Sequence, residues 1–237
     1  MIQAKNVNLF KKSLEVLSGL IQDTNLRIKD DGIYVKAIDK TQIILIDFFM
    51  PKACFDNYIV EPNLIGVNIP ELHNMISRSF DKDKLKIEIK ETYLDIYLLG
   101  QIQRRFNLPF IDLSDSDINT PNISFDVSVK LNAFLLKEIL KDASLVGTTI
   151  IFKAVDGKFI IEAEGDRGKI ETEVSKVTMK NKKMVSAKYS LSFLKNITKS
   201  MDNVDLLLKF ADDSPLYVEY MIEDQVKINF YLSSMLI

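Results

Sequence analysis

The chain has 237 residues, a single cysteine, a single histidine and no tryptophan. One thiol excludes an internal disulfide framework, and a formal net charge of −2 excludes a globally basic nucleic-acid binder, although a global sum can hide segregated charge. No apolar run approaches the roughly 20 residues that span a bilayer, and Gln3, Lys5, Asn6 and Asn8 interrupt the opening segment, so the expectation is a soluble intracellular protein without membrane association.

In chain order, Phe10, Leu14, Leu17 and Ile21 recur at helical spacing and predict a first helix over 9–22. The runs LRIKD, GIYVKAID and QIILIDFFM follow as strands, rich in β-branched and aromatic residues, with Asp31-Gly32 as a hairpin tip. Pro70 opens a second helix reaching about residue 80, at a first-turn position where its missing N–H costs nothing. LKIEIK, YLDIYLL and IQRRFNLPF come next. Residues 111–122, IDLSDSDINTPN, read as an exposed linker from their turn formers and like charges. Asn132 caps a third helix over 133–144. TIIFKAV, KFIIEAEG and GKIETEVS follow, with Asp156-Gly157 at a second tip. A fourth helix near 189–201 precedes VDLLLKF, LYVEYMIE and QVKINFYL. The two glycines of the tips lie 125 positions apart, each after a helix. The chain therefore reads as a duplicated α+β scaffold: four units of strand, helix and three strands, two per half, with domains over 1–110 and 123–237.

The helical windows carry nine basic residues against four acids, a surplus of five positive charges that leaves the remainder of the chain at −7. Lys188, Lys195 and Lys199 fall at i, i+7 and i+11, within about 40° on a helical wheel, and Lys130, Lys137 and Lys141 repeat that spacing. One such stripe is an ordinary solvated helix face. Two, with Lys11, Lys12 and Arg78, suggest a surface for phosphates.

Reactive groups are sparse. His73 has no Ser, Cys or carboxylate arranged with it for catalysis, and Cys54 reads as a half-buried small residue. Asp112, Asp115 and Asp117 form the one carboxylate cluster of note; a metal-dependent DNA-processing enzyme built on them is an alternative, against the reading of a charged loop with no completing His or Glu. No Gly-rich phosphate loop is present. The expectation is a protein that is not an enzyme and carries no cofactor or metal.

The run DGIYVKAIDKTQIILIDFFMP, then FDNY, LIGVNIPELHNMI, FNLPFIDLSDSDINTPNISFDVSVKL, EAEGDRGKIETEV and SPLYVEYMIEDQVKINFYL, together resemble the proliferating cell nuclear antigen family of DNA sliding clamps. The blocks match in order over essentially the whole chain. The resemblance implies a trimeric ring of subunits with the DNA clamp fold, two domains each, joined by a connecting loop at 111–122. Helices would line a hole around duplex DNA, read without sequence specificity. It places Lys11, Lys12, Arg78, Lys137, Lys141, Lys188, Lys195 and Lys199 towards DNA. Ser18, Asn74, Ser77, Leu145 and Ser192 stand where relatives often carry a basic residue or His, which thins that lining.

A partner-peptide groove is implied at Ile38, Gln42, Ile43 and Leu45, at Ile118 and Pro121 of the loop, and at Pro215, Tyr231 and Leu232. Ser233-Ser234 replaces a usual Ala-Pro beside it. Subunits would join by pairing 103–109 with 168–174, through Arg105, Phe106 and Leu108 against Lys169, Ile170 and Thr172. The implied partners are DNA polymerase, a clamp loader (replication factor C), flap endonuclease and DNA ligase, in a homotrimer or a heterotrimer with paralogues. A specialised or checkpoint-type heteromeric ring is a further alternative. The short length and lack of an acidic tail suggest an archaeal protein, cytoplasmic and nucleoid-associated, or nuclear if eukaryotic.

Overall fold

A computed structural model describes residues 1–115, 118–201 and 204–236. The backbone separates into two compact units: Met1–Lys40, Ile46–Ile118 and Ile222–Ile228 form one, and Thr41–Leu45, Asn119–Met221 and Asn229–Ile237 the other. No described helix is long and apolar enough to cross a membrane.

The first unit runs β1 (Ile2–Ala4), α1 (Val7–Ser18), β2 (Asp23–Lys29), β3 (Gly32–Ile38), β4 (Ile44–Pro51, from residue 46 in this unit), β5 (Phe55–Tyr58), β6 (Asn63–Asn68), α2 (Ile69–Ser77), β7 (Lys84–Ile89), β8 (Tyr93–Leu99) and β9 (Arg104–Pro109). One sheet has the order β5-β1-β7-β8-β9, and β4, β3, β2 and β6 are successive neighbours in another. The second unit repeats the order: β10 (Val127–Asn132), α3 (Ala133–Val146), β11 (Thr149–Val155), β12 (Lys158–Gly165), β13 (Gly168–Glu173), β14 (Thr178–Asn181), β15 (Val185–Ser190), α4 (Leu191–Thr198), β16 (Asp205–Phe210), β17 (Leu216–Ile222, to residue 221 in this unit) and β18 (Val226–Leu232, from residue 229 in this unit). Its sheets have the orders β13-β12-β11-β15 and β14-β10-β16-β17-β18. α1 packs on α2, and α3 on α4. The duplicated α+β plan holds, with one short strand per half beyond it, β5 and β14. Each has only four residues and lies at a sheet edge, so neither carries a buried alternation long enough to announce itself.

The helix ends differ from their predicted positions for local reasons. Asn6 accepts from the N–H of Asn8 at 2.8 Å and of Leu9 at 3.4 Å, which starts α1 two residues early. At its end Leu20 and Ile21 both donate back to the Leu17 carbonyl, closing the helix at Ser18. α2 stops at Ser77 because Ser77 and Ser79 hydroxyls take the Asn74 and Ile76 carbonyls. α3 extends to Val146. α4 is shorter than predicted at both ends: Tyr189 belongs to β15, and the Lys137 ammonium caps the far end by donating to the carbonyls of Lys199 (3.0 Å) and Met201 (2.8 Å).

The two Asp-Gly pairs do different work. Asp156 and Gly157 are the two-residue loop of the β11–β12 hairpin, with φ of 51° and 75°, as a type I′ turn demands. In the first half Lys29 pairs with Gly32, so the tip is Asp30-Asp31 and Gly32 opens β3. A Cβ on Gly32 would lie 2.3 Å from the Met50 carbonyl oxygen, which is why that position is glycine. The repeat is therefore displaced by one residue from the apparent match.

The core of the second unit includes the ring cluster Phe152, Phe159, Tyr189 and Phe210. In the same unit Tyr220, 3 % exposed and stacked on Phe230, has a hydroxyl with no hydrogen-bond partner among the described residues. A buried unpaired hydroxyl is a desolvation cost without return. Tyr220→Phe is expected to raise stability by about 1 kcal/mol, read as a higher urea midpoint at unchanged slope.

Candidate functional site

The residues singled out by the sequence fall into three sets: those at the sheet edges, the helical lysines and those of the implied partner groove. Each sheet edge has a distinct fate. The edge of β6 is crossed by the connector, whose Ile111 N–H donates to the Gly66 carbonyl at 2.9 Å; a Cβ on Gly66 would be 2.1 Å from the Ile111 oxygen. β15 is bridged by the tail, where Met235 N–H donates to the Lys188 carbonyl at 2.8 Å. β5 and β14 are short. β9 and β13 each present six residues of edge with no strand against them among the described residues, one in each unit.

Which backbone groups face outward follows from register. Phe110 N–H donates to the Thr92 carbonyl (2.9 Å), one step beyond the β8–β9 ladder, so by alternation residues 104, 106 and 108 point at β8. The outward N–H groups of β9 belong to Arg105 and Asn107. Val174 N–H donates to the Phe159 carbonyl (2.9 Å), so Ile170 and Thr172 point at β12, while Lys169, Glu171 and Glu173 face outward. Ile170 is thus an internal ladder residue whose N–H is turned to β12. Leu108 is 1 % exposed and turns its backbone groups to β8, so it supplies neither to an outer partner, whereas Phe106, Ile170 and Thr172 are half-buried and Arg105 and Lys169 exposed.

Behind both edges lies a buried carboxylate that sequence reasoning missed. Asp95 of β8 accepts from Arg105 Nε at 3.0 Å and Nη2 at 2.8 Å, from Asn107 Nδ2, and from the Tyr97 hydroxyl at 3.4 Å. The paired Arg105 guanidinium holds the Asp95 carboxyl below the usual range. Glu162 of β12 is desolvated by burial, yet Lys153 at 2.6 Å and Lys169 at 3.6 Å keep its carboxyl lowered overall. Both acids bring side chains of the edge strand into order while leaving its outward backbone free. An acid inside an otherwise apolar strand, as in YLDIYLL, is the sequence signal that marks such a position.

The helical lysines are less uniform than their spacing implied. Lys188 and Lys130 lie on β15 and β10, so neither helix carries a full three-lysine stripe. Lys137 is spent capping α4. Lys11 donates to the Ser79 carbonyl at 3.1 Å, Lys12 pairs with Glu223 at 2.9 Å, and Lys141 with Glu138 at 2.6 Å. Arg78, Lys195 and Lys199 are exposed with no carboxylate against them among the described residues.

Of the groove residues in the second unit, Ile43, Tyr231 and Pro215 are half-buried and Gln42 and Pro121 exposed, while Leu45 (8 %) and Leu232 (0 %) belong to the core. Ser233 N–H donates to the Ile43 carbonyl at 2.9 Å, so the tail that lacks the usual Pro is still tied down by backbone bonds. Gln42 has φ 59°, a left-handed conformation uncommon for a non-glycine residue, and turns the chain just before Ile43. In the first unit Ile38 is 43 % exposed and Ile118 half-buried.

The connector is not a free linker along its first half. Asn25 Nδ2 donates to the Ser114 carbonyl at 3.3 Å, and Arg27 forms a bidentate pair with Asp115. Asp115 is thereby engaged, Asp117 lies outside the described residues, and among the described residues no three His, Cys, Asp or Glu side chains gather as metal ligands. Cys54 is fully buried rather than half-buried, and burial, opposed by Lys5, pushes its thiol up, away from the reactive thiolate.

Family models for the N-terminal and C-terminal domains of proliferating cell nuclear antigen match residues 1–119 and 119–235. The chain is 31 % identical over 235 residues to the DNA polymerase sliding clamp of Pyrococcus furiosus, covering 94 % of this chain and 93 % of that protein. Its fold superposes on the crystal structure of PCNA from Thermococcus kodakaraensis with a TM-score of 0.93 at 25 % identity, covering 99 % of each chain. A PCNA2–PCNA3 complex from Sulfolobus tokodaii shares the fold, with a TM-score of 0.88 at 22 % identity and 98 % of each chain covered. With both family models matched in order across nearly its whole length, the chain belongs to the proliferating cell nuclear antigen family.

Proposed function

We propose that the chain works as a DNA sliding clamp, joining further subunits edge to edge into a ring around duplex DNA and tethering DNA polymerase to it. The observation that carries ring assembly is the pair of uncovered six-residue edges, β9 and β13, one in each unit. An exposed edge of that length is an aggregation hazard unless another chain pairs with it, and two different edges on one chain give a heterologous contact that closes into a ring when the rotation permits. A ring closed by copies of this chain and one shared with paralogues both satisfy this geometry. The domains are taken as 1–110 and 123–237 with the connector between.

DNA phosphates would be met by Arg78 of the first unit and by Lys141, Lys195 and Lys199 of the second, with Lys11 and Lys12 as secondary contacts and Lys188 supplying charge from β15. Retention comes from topology, so the contacts are weak and read phosphate alone. A clamp loader of the replication factor C type, flap endonuclease and DNA ligase are proposed to share the groove at Ile43, Pro121, Pro215 and Tyr231 with polymerase. The protein would reside where the DNA is.

Replacing Arg78, Lys141, Lys195 and Lys199 by Ala is expected to lower clamp-dependent polymerase stimulation roughly tenfold while leaving ring size unchanged, since each lost phosphate contact weakens binding and flattens its salt dependence. Lys137→Ala is a different experiment, because it uncaps α4 and shows first in thermal stability. Primer-extension assays over a salt series check this. Full stimulation by the fourfold variant would remove these residues from the DNA path.

A further inference from the structure

The solvent face of the β14-β10-β16-β17-β18 sheet carries a straight cross-strand row. Lys180 lies opposite Ser128, Ser128 opposite Lys209, and Lys209 opposite Tyr217, so their side chains share one face. Tyr217 continues to Tyr231, with ring centroids 5.1 Å apart, and the Lys209 ammonium sits 5.2 Å above the Tyr217 ring. Phe125 closes on Tyr217 from the connector side at 6.0 Å. Tyr217 is 8 % exposed although it faces away from the core. Its hydroxyl is fixed by Glu219 at 2.5 Å and Asn229 at 3.1 Å.

At the far end of the row, Ser124, Phe125, Lys180, Lys182 and Lys209 line a depression of about 560 Å³. Its one acid, Asp126, is engaged by Lys183 at 3.3 Å. Lys180, Lys182 and Lys209 have no carboxylate against them among the described residues. Three ammonium groups around one concavity repel each other and attract an anionic guest.

We propose that this depression receives an acidic stretch of the same partner segment whose apolar anchors occupy the groove at Ile43 and Tyr231. The proposal rests on the groove reading above, because the row of Tyr231, Tyr217 and Lys209 joins the two surfaces without a break. Strands about 4.8 Å apart put Lys209 about 10 Å and Lys180 about 19 Å from Tyr231. An extended peptide rising about 3.3 Å per residue covers that distance in roughly three to six residues. Partners of this clamp would thus be selected by carboxylates placed three to six positions from their aromatic anchors. Single-stranded nucleic acid is the less suited guest, since it needs an open aromatic face to stack on and Tyr217 is covered.

The test uses the full chain and synthetic peptides bearing a Phe-Phe pair, with three Glu placed four residues to either side, and the matching Gln peptides. A Glu-only peptide and a short oligothymidylate of equal charge complete the set. One Glu-flanked peptide is expected to bind roughly threefold to tenfold tighter than its Gln counterpart at low salt, an advantage that shrinks as salt rises. Lys180→Glu with Lys182→Glu should reverse the preference and leave Gln-peptide affinity unchanged. Those side chains are exposed and β14 pairs through its backbone, so the fold should survive, with thermal midpoint as the control. Lys209→Gln provides a second variant. Equal affinity for Glu and Gln peptides, an advantage that survives charge reversal, or preferential displacement by the oligonucleotide would overturn the proposal. If no Phe-Phe peptide binds, the groove reading falls. The Glu-only peptide then decides separately: loss of its binding in the charge-reversed protein keeps the acidic-segment site, and no binding to the unaltered protein sinks it.

Discussion

Glu171→Pro is expected to break the assembled protein into monomers without unfolding them. The Glu171 N–H points away from β12 and its side chain is exposed, so within the chain proline removes no ladder bond there. In the ring it deletes a donor to the neighbouring β9 edge and leaves the opposing carbonyl unpaired. A lost bond of about 1 kcal/mol with about 1–3 kcal/mol for the orphaned acceptor weakens each contact roughly 30-fold to 1,000-fold. Light scattering over a dilution series should show the midpoint of dissociation move accordingly. Ile170→Pro is the informative contrast. It strikes the internal ladder opposite Ala163 and should lower the thermal midpoint of the monomer itself. If Glu171→Pro assembles as the unaltered chain does, β13 is not the joining edge.

Ile43→Asp is expected to weaken binding of an aromatic-ended partner peptide about 100-fold while the ring stays whole. Its carbonyl bond to Ser233 is made by backbone and survives the substitution. Its half-buried side chain would present a carboxylate where the partner inserts apolar anchors. Desolvating that charge without a partner opposes binding by about 3 kcal/mol, roughly 100-fold. Leu45 and Leu232 are unsuitable for the same test, because both lie in the core and a charge there would damage the unit before the groove. Calorimetry with ring size as the folding control decides it. Unchanged affinity in an intact ring would place the peptide elsewhere, and Pro121, Pro215 and Tyr231 would lose their assignment with Ile43.

The four helices, most strands and the duplication were legible because each rests on a local signal: apolar spacing for α1, first-turn Pro70 for α2, the Asn132 cap for α3, alternating runs for the strands. What escaped was set by partners distant in sequence. Lys188 completes a helical spacing on paper, yet β15 extends to Ser190 because its residues pair with β11. The basic surface looked richer than it is because sequence counts charges and not their engagements, as with Lys137 on α4 and Lys12 on Glu223. The direction in which Ile170 points depends on register with β12, which the β12–β13 hairpin fixes and composition does not. The row from Lys180 to Tyr231 joins five strands and has no trace along the chain.

Retention on DNA by topology is the central claim, and a linearisation experiment tests it most directly. The chain, with any paralogue needed to close the ring, is loaded on a nicked circular plasmid by the proposed clamp loader of the replication factor C type with ATP, then separated by gel filtration before and after a single restriction cut. Co-elution with the closed circle and release within minutes of the cut is the predicted result, because a ring held by no strong contact slides off an open end. Binding that survives linearisation, or a protein never retained on the circle, would contradict the account.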